Sequence, residues 1–259
     1  MSDDLIKLER RDSYALLKLN RPRKLNALNT RMWQEMLTII AEAEADTSIR
    51  VLVVCGEGNA FAAGADIAEM QAVAEDPSLP NTIASLTYKV QRALTYFTRP
   101  TIAMIRGACV GGGCGISLCC DIRIADDTAR FGITPAKLGL VYSLSDTKRL
   151  IDTVGVSPAK DILFTGRIML AEEALSIGLI NYLWDTDSLE QNMLKLVESI
   201  INNSQTSMVA NKRIMQMILD GASDDNEITR DLFIDAFGSK DFTEGINAFK
   251  EKRKPSFSV

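Results

Sequence analysis

The 259-residue sequence contains no histidine. Histidine is the side chain most often used as a general acid or base near neutral pH and a frequent metal ligand. Its absence excludes a Ser-His-Asp triad, a Cys-His pair and any metal site built on imidazole. Proton transfer in this protein must therefore use carboxylates, tyrosine, lysine, cysteine or water.

Long apolar runs and an excess of positive charge are also missing. No apolar run reaches the ~20 residues that span a bilayer, and the opening MSDDLIKLERR lacks a secretory signal pattern. The net charge of −5 gives no reason to expect nucleic acid as a partner. We therefore expect a cytoplasmic protein that binds neither membranes nor nucleic acid.

The cysteine content points to packing rather than to disulfides or metal. The sequence has five cysteines, all within or beside apolar or glycine-rich segments. An odd number without a secretory signal favours reduced thiols, and the spacing fits no usual metal site. We expect the thiols to act as small buried hydrophobic groups, and we expect no metal.

The most informative stretch is RGACVGGGCGISLCCDIRIA, residues 106–125. The apolar run TIAMI (101–105) before it predicts a buried strand, and CGISLCC within it is compatible with a helix. Between them, three glycines (111–113) let the backbone bend and let another group approach closely. Free N–H groups at a helix start suit a developing negative charge. A tight, well-packed turn is the alternative interpretation.

A second stretch has the same plan. VLVVC (51–55) predicts a strand, and it leads through the small-residue loop AAGAD towards a helix. Two such loops can aim two backbone N–H groups at one carbonyl oxygen, which is the geometry of an oxyanion hole.

The rest of the chain alternates strands and helices. The patterns predict two strands within 5–19, a helix after a cap at Asn29 or Thr30, and a polar loop over 71–81 before the next amphipathic helix. Two short helices and a strand (INYLW) are predicted before residue 188, and only helices after it. This order predicts an α/β fold.

These blocks together resemble the crotonase (enoyl-CoA hydratase/isomerase) family. LNRPRKLNALN, AFAAGAD, GGGCG followed by CDIRIA, and ARFGITPAKLGL occur in the family's order, and the resemblance extends to INAFKEKRKPSF at the end. It implies a spiral of ββα turns over residues 1–187 and a C-terminal helical oligomerisation region over 188–259. It also implies a homo-oligomer, either a trimer or a dimer of trimers.

The resemblance assigns roles to single residues. Ala65 and Gly112 would supply the two oxyanion N–H groups. Arg23 and Lys24 would pair with phosphates of coenzyme A and the Leu25 backbone would contact adenine, although a solvated basic loop is the alternative. The remaining positions implied for contact with the substrate or CoA are Ala63, Asp66, Ile67, Gly111, Phe249 and Lys252, with Asp66 expected mainly to fix its loop.

The sequence departs from the family at the catalytic carboxylates. Hydratases of the family carry glutamates in patterns like GGGCE and FGQPE, whereas this chain has Gly115 and Pro135 at those positions. Hydration and double-bond isomerisation both need a positioned proton-transfer group, each worth about 10²–10⁴-fold in rate. We therefore expect both reactions to be slow in this protein unless another group transfers the proton.

An oxyanion hole alone still stabilises an enolate, and decarboxylation of a malonyl-type thioester makes one without a base. Tyr142 lies where some decarboxylating members of the family have TPA-x-LG and then tyrosine, so it is a candidate to grip a carboxylate or direct a proton. An aromatic wall of the acyl pocket is the alternative role. Asp146 is either a displaced acid or base or a helix cap, with Ser145 the other candidate cap, and we favour capping.

Three functional hypotheses follow. The leading one is an acyl-CoA enzyme of the hydratase/isomerase family that polarises a thioester carbonyl, with no cofactor beyond the CoA of its substrate. A malonyl-type acyl-CoA decarboxylase using Tyr142 is the second. The third is an acyl-CoA-binding protein that has lost catalysis.

Overall fold

A computed structural model describes residues 4–76 and 78–257 of the chain. The strands of these residues are β1 (Ile6–Arg10), β2 (Tyr14–Leu19), β3 (Val51–Gly56), β4 (Thr101–Ile105), β5 (Ala108–Val110), β6 (Ile122–Asp126), β7 (Arg130–Gly132), β8 (Ile168–Leu170) and β9 (Tyr182–Trp184). The helices are α1 (Thr30–Ala45), α2 (Ile67–Glu75), α3 (Leu79–Thr95), α4 (Gly112–Leu118), α5 (Leu144–Val154), α6 (Val156–Thr165), α7 (Ala171–Ser176), α8 (Leu189–Ile201), α9 (Gln205–Leu219), α10 (Glu227–Phe237) and α11 (Lys240–Glu251).

The main sheet has six strands in the order β1-β2-β3-β4-β6-β9. Only the β1–β2 pair is antiparallel, and the four other pairs are parallel. The second sheet, β5-β7-β8, is small and begins close to the glycine-rich loop. The predicted α/β class is confirmed.

Both faces of the main sheet are covered, which explains the nearly continuous apolar runs of β3 and β4. Alternate residues such as Leu52 and Val54 face a large core shared with α1, α3 and α4. Their neighbours Val51 and Val53 face a smaller core on the other side, where α8 packs with Leu189. This helix lies in the predicted C-terminal region, and the division at residues 187 and 188 stays a prediction.

The polar loop predicted over residues 71–81 is wrong at both ends. Helix α2 continues to Glu75, and α3 already begins at Leu79. Alanine and glutamate in AVAE are good helix formers. Pro80 is tolerated because it lies in the first turn of α3, where no intrahelical N–H bond is lost.

The last three helices leave many apolar side chains in solvent. Residues from α9, α10 and α11 that are more than two-fifths exposed are Met215, Ile218, Leu219, Ile228, Phe233, Ile234, Phe237, Phe242, Ile246 and Phe249. Contiguous exposed apolar surface of this kind is characteristic of a contact surface. None of the helices in the described part of the chain is long and apolar enough to cross a membrane.

Candidate active site

The two small-residue loops lie side by side. Ala62 N donates to Ala108 O at 2.8 Å, and Val110 N donates to Ala62 O at 2.9 Å, so the segments run parallel at this point. Further along, a Cβ atom placed on Gly111 would lie 3.8 Å from the Cα of Gly64. The structure therefore brings together the residues just before the two predicted oxyanion donors.

Both loops need glycine for this approach. Gly64 and Gly111 have φ angles of 101° and 53°, in the region that side-chain-bearing residues rarely adopt. Directly after each glycine, the backbone turns and an amide follows, that of Ala65 in one loop and that of Gly112 at the start of α4.

The hydrogen bonds around these two amides leave them available. The adjacent N–H of Asp66 donates to Leu28 O at 2.9 Å, and the N–H of Gly111 donates to Gly132 O at 2.8 Å. Within residues 4–76 and 78–257, neither the Ala65 nor the Gly112 N–H group donates a hydrogen bond. Ala65 is exposed and Gly112 is half-buried at the start of α4, so both amides are accessible to solvent or to a ligand.

Asn26 connects the loop of residues 21–28 to the segment before Ala62. Its side chain is fully buried and accepts from Arg21 N at 2.8 Å. Its amide donates to Glu57 O at 3.0 Å and to Ala60 O at 2.7 Å. The sequence pattern predicted no separate role for this residue. The backbone is left-handed at both Leu25 and Asn26. Asparagine adopts this conformation more readily than most residues, so its presence in this loop was the available signal.

Asp66 fixes its loop, as the sequence suggested. Its carboxylate pairs with Arg21 at 2.7 Å and caps α2 by accepting from Ala68 N at 3.0 Å. The hydrogen bond from Arg21 holds the pKa of this carboxyl below its usual value. The Arg21 side chain also donates to Ala27 O at 2.6 Å, which ties Asp66 to the predicted nucleotide-binding loop.

The other predicted contact residues of these loops lie at the surface or close to it. Arg23, Lys24 and Leu25 are exposed around a single 3-10 turn, Pro22–Lys24. Ala63 is half-buried, and its N–H donates to Leu25 O at 3.0 Å. Ile67, the first residue of α2, is 77% exposed. The loops thus present backbone and basic side chains on one connected surface.

Three polar side chains surround the position that a Cβ atom on Gly115 would occupy. A Cβ atom placed on it would lie 2.6 Å from Gln91 Nε2, 3.1 Å from Asp146 Oδ1 and 3.4 Å from Tyr142 Oη. The space in which a longer side chain would begin is therefore already lined by an amide, a carboxyl and a phenol. Pro135 opens a separate 3-10 turn, Pro135–Leu138, and supplies no carboxylate.

Asp146 is buried in the first turn of α5 and is not its cap. Ser143 caps the helix, accepting from Asp146 N at 3.0 Å and donating to Asp146 Oδ2 at 2.6 Å. The prediction of Ser145 or Asp146 as the cap was wrong, because the helix begins two residues earlier than its pattern suggested. Burial raises the pKa of Asp146, and hydrogen bonds from Ser143 and Gln91 and the charge of Arg149 oppose this rise only in part.

Tyr142 has a buried hydroxyl without a hydrogen-bond partner among the described residues. Burial raises the pKa of this phenol well above its ordinary value, and the nearby Asp146 adds to the effect. A buried unpaired hydroxyl costs free energy, roughly 1–3 kcal/mol, unless a ligand satisfies it.

Gln91 is the site residue that sequence reasoning missed. It is 2% exposed and lies between Val90 and Leu94 on the buried side of α3. The available signal was one amide within the apolar stripe of an amphipathic helix.

A family model described as enoyl-CoA hydratase/isomerase matches residues 9–259. The chain belongs to the enoyl-CoA hydratase/isomerase family. A short-chain-enoyl-CoA hydratase of Clostridium acetobutylicum is 35% identical to it over 257 residues, with 95% of each chain covered. A crotonyl-CoA hydratase of Syntrophomonas wolfei is 34% identical, with 99% of each chain covered.

The family's fold is confirmed as well. A solved structure of an enoyl-CoA hydratase/isomerase family protein from Hyphomonas neptunium superimposes with a TM-score of 0.95 at 37% identity. The match covers 98% of this chain and 97% of that one. The crotonase-like architecture inferred from the ordered blocks is therefore correct.

Two residues implied by the family resemblance lie apart from these loops in the chain. Phe249 is near the end of α11 and is 84% exposed, and Lys252 follows in a left-handed turn. No recorded hydrogen bond joins either side chain to the loops within the described ranges. Their assignment to CoA binding stays a prediction.

The five cysteines are buried and unpaired. Burial raises the pKa of Cys55 to about 12 and that of Cys119 to about 11, so neither is a thiolate near neutral pH. Over the described parts of the chain, no group of three or more cysteine, aspartate or glutamate side chains could hold a metal ion.

Asp146 makes the stability of the family fold depend on pH. The pKa of Asp146 is raised in the folded state. Its contribution to the free energy of unfolding is therefore complete below the unfolded pKa of 3.8 and is lost as the pH rises through the folded pKa. We expect Asp146→Asn to gain thermal stability relative to the native chain between pH 4 and pH 8, measured by melting curves at each pH. Asp152→Asn, on the exposed side of α5, serves as the control and should show no such trend. A difference in melting temperature between Asp146→Asn and the native chain that stays the same at every pH would contradict the raised pKa of Asp146.

Proposed function

We propose that the protein acts on an acyl-CoA thioester and stabilises its enolate with the N–H groups of Ala65 and Gly112. The two amides lie on adjacent loops and have no acceptor among the described residues, which supports this role. Donors of this kind, aimed at the developing oxyanion, contribute about 10²–10³-fold each. The names of the relatives, which include hydratases of enoyl-CoA and crotonyl-CoA, support a thioester substrate.

The reaction best supported by the side chains is decarboxylation of a malonyl-type acyl-CoA. The observation that supports this proposal is the set of side chains beside Gly115, where the resemblance implies a glutamate. They include the buried carboxyl of Asp146 and the phenol of Tyr142, whose hydroxyl has no hydrogen-bond partner among the described residues. In this reaction, the bond between Cα and the carboxylate carbon breaks and CO₂ leaves. The electron pair of that bond forms the enolate, which the oxyanion hole holds until Cα takes up a proton.

Tyr142 would bind the substrate carboxylate before the bond breaks. Its hydroxyl is a hydrogen-bond donor that has no partner among residues 4–76 and 78–257. Loss of CO₂ then removes the negative charge from a poorly solvated environment, which favours the forward reaction. No base is needed, because CO₂ departs in place of a proton.

Hydration of an enoyl-CoA is the second candidate. Asp146 Oδ1 lies 3.1 Å from the position of a Cβ on Gly115, close enough to take the place of a missing glutamate. The raised pKa of Asp146 is compatible with this role, since a carboxyl whose pKa is raised towards the working pH can act as a general acid or base.

Turnover of methylmalonyl-CoA and of crotonyl-CoA by the purified protein separates these reactions. We expect release of CO₂ from methylmalonyl-CoA and slow or no hydration of crotonyl-CoA. Tyr142→Phe should lower kcat/KM for decarboxylation by about 10²-fold, the loss of one positioned hydrogen-bonding group. Tyr182→Phe, which alters an exposed tyrosine, is the control and should be neutral.

Other results would change the assignment. Hydratase turnover that exceeds decarboxylation would favour the second candidate. Binding of CoA thioesters in calorimetry without turnover of any of them would favour a protein that binds acyl-CoA without catalysis. No binding of any CoA species would overturn the thioester proposal as a whole.

The CoA moiety would bind at the surface formed by Arg23, Lys24 and Leu25. Both basic side chains are exposed and can pair with phosphate. Phe249 and Lys252 would contribute from α11, and no resident cofactor is needed because CoA arrives with the substrate.

We also propose a homo-oligomer, a trimer or a dimer of trimers, assembled through the C-terminal helices. The exposed apolar residues of α9, α10 and α11 support this assembly. The five unpaired cysteines support a reducing compartment such as the cytoplasm.

A further inference from the structure

The loop that carries the basic residues predicted to bind CoA closes on Arg21. Arg21 O accepts from Lys24 N at 2.9 Å and from Asn26 N at 3.0 Å, and Arg21 N donates to Asn26 Oδ1 at 2.8 Å. The exposed side chains of Arg23 and Lys24 therefore project from a short closed loop whose base is Arg21. A phosphate that pairs with both side chains would restrict the whole loop.

The side chain of Arg21 joins this loop to the segment that contains Ala65. Its guanidinium group donates to Ala27 O at 2.6 Å and to Asp66 Oδ2 at 2.7 Å. Ala27 directly precedes Leu28, and Asp66 directly follows Ala65. The side chains of Arg21 and Asp66 are only 17% and 14% exposed, so salt and water weaken this ion pair less than they weaken one at the surface.

The backbone of Leu28 determines the direction of the Ala65 N–H group. Leu28 N donates to Gly64 O at 2.7 Å, and Asp66 N donates to Leu28 O at 2.9 Å. The C=O of Gly64 and the N–H of Ala65 belong to one trans peptide, in which the two groups point in opposite directions. Because the C=O points towards Leu28, the N–H of Ala65 points away from it. The contact that Arg21 holds together therefore aims the amide that we assign to the oxyanion.

Glu69 joins the same two segments independently of Arg21. Both oxygens of its carboxylate accept the N–H of Thr30, at 2.8 Å and 2.9 Å, and one also accepts the Thr30 hydroxyl at 3.1 Å. This contact lies at the start of α1, where a carboxylate satisfies a free N–H group and suits the helix dipole. A chain without the Arg21 side chain should therefore keep α2 against α1 and fold.

We infer that Arg21 is a positioning residue that couples the predicted CoA nucleotide site to the oxyanion amide of Ala65. This inference rests on the proposed function. Binding of the CoA phosphates at Arg23 and Lys24 orders the loop that Arg21 closes, and the pair of Arg21 with Asp66 extends that order to the Ala65 N–H. Part of the binding energy of the nucleotide, which is remote from the reacting carbon, thereby raises kcat instead of only lowering KM.

The first test removes the nucleotide from the substrate. It compares the acyl-CoA that the native chain turns over, methylmalonyl-CoA or crotonyl-CoA, with the same acyl group on pantetheine. In the native chain, kcat should be about tenfold lower for the pantetheine thioester. In Arg21→Met, kcat for the CoA thioester should itself fall by about tenfold, and removal of the nucleotide should then change kcat by less than about twofold.

Two further variants separate positioning from general stability. Arg21→Lys keeps the charge but not the planar fork that holds two acceptors, so its kcat should lie between those of the native chain and Arg21→Met. Arg10→Met is the matched control, because Arg10 also holds two partners, Glu42 and Asp46, but pairs β1 with α1 at an exposed place. It should keep the native kcat and the native effect of removing the nucleotide.

Hydrogen exchange followed by NMR supplies a readout that does not depend on turnover. The amides of Leu28 and Asp66 form the hydrogen bonds between the two segments. Free CoA, which has no acyl group, should slow their exchange severalfold in the native chain and in Arg10→Met. In Arg21→Met, the slowing should be smaller than about twofold. If Arg21→Met does not fold, the same comparison is made with Arg21→Lys, for which a smaller slowing than in the native chain is expected.

Equal kcat values of the native chain for the CoA and pantetheine thioesters would overturn the inference. So would equal losses on both substrates in Arg21→Met, since Arg21 would then act on the rate without the nucleotide. Native slowing of exchange in a folded Arg21 variant would overturn it as well. Absence of turnover by the native chain, together with slowing that depends on Arg21, would reject the proposed function while supporting the coupling between the two loops.

Discussion

Gly112→Pro lowers kcat/KM by about 10²–10³-fold, whereas Gly112→Ala retains most of the activity. Gly112 is the first residue of α4, the helix position where proline is best tolerated. Proline there removes one N–H group that donates to no other group in the described part of the chain, and that group is one of the two we assign to the oxyanion. The expected loss is the effect of one oxyanion donor.

The alanine variant controls for the added carbon atom. A Cβ at this position lies 2.9 Å from Leu28 Cδ1, the end of a flexible side chain that can shift, and both variants carry it. Steady-state kinetics with the substrate found for the native chain measure the difference. Equal losses in the two variants would show that the N–H of Gly112 does not bind the oxyanion. Circular dichroism spectra should be unchanged in both.

Asn26→Gly lowers the free energy of unfolding by roughly 3 kcal/mol. Three hydrogen bonds are lost. The carbonyl of Ala60 loses its partner in a buried place, and the N–H of Arg21 and the carbonyl of Glu57 lose theirs in partly buried places. Each such group costs about 1–3 kcal/mol, with partial relief from water. Glycine is the suitable replacement because φ at this residue is 55°, which alanine would adopt only with added strain.

Urea denaturation measures this loss, which is a large fraction of the ~5–15 kcal/mol that stabilises a typical domain. Asn203→Gly is the control, since it removes one exposed hydrogen bond, to Ser199 O, and should cost about 1 kcal/mol or less. A loss for Asn26→Gly no greater than that of the control would mean that the two loops hold together without this side chain.

Much of the architecture follows from local patterns. The apolar runs 51–55 and 101–105 are strands with both faces buried, and the helix after Asn29 begins at the expected cap. Apolar periodicity and helix caps involve residues only a few positions apart in the chain, so they can be recognised from the sequence alone. The small sheet β5-β7-β8 was not predicted, because its strands have three residues each and derive their order from partners distant in the chain.

The candidate site was also only partly predictable from the sequence. The glycine loops before two helix starts were visible in the residues themselves, because a backbone that needs positive φ favours glycine. The assignment of Ala65 and Gly112 as donors came from the family resemblance and stays a prediction. The sequence also shows glycine at position 115, where the resemblance implies a glutamate. It does not show what lies beside this glycine, because Gln91, Tyr142 and Asp146 converge there from α3, from the segment before α5 and from α5 itself.

By itself, the sequence determined the α/β class, the family and the exclusion of histidine chemistry. Only the tertiary structure decided that Ser143 rather than Asp146 caps α5, that Asp146 is buried with a raised pKa, and that Gln91 faces it. The physical reason is that burial and hydrogen bonding depend on which distant segments pack together. A residue's own neighbours in the chain carry little information about that packing.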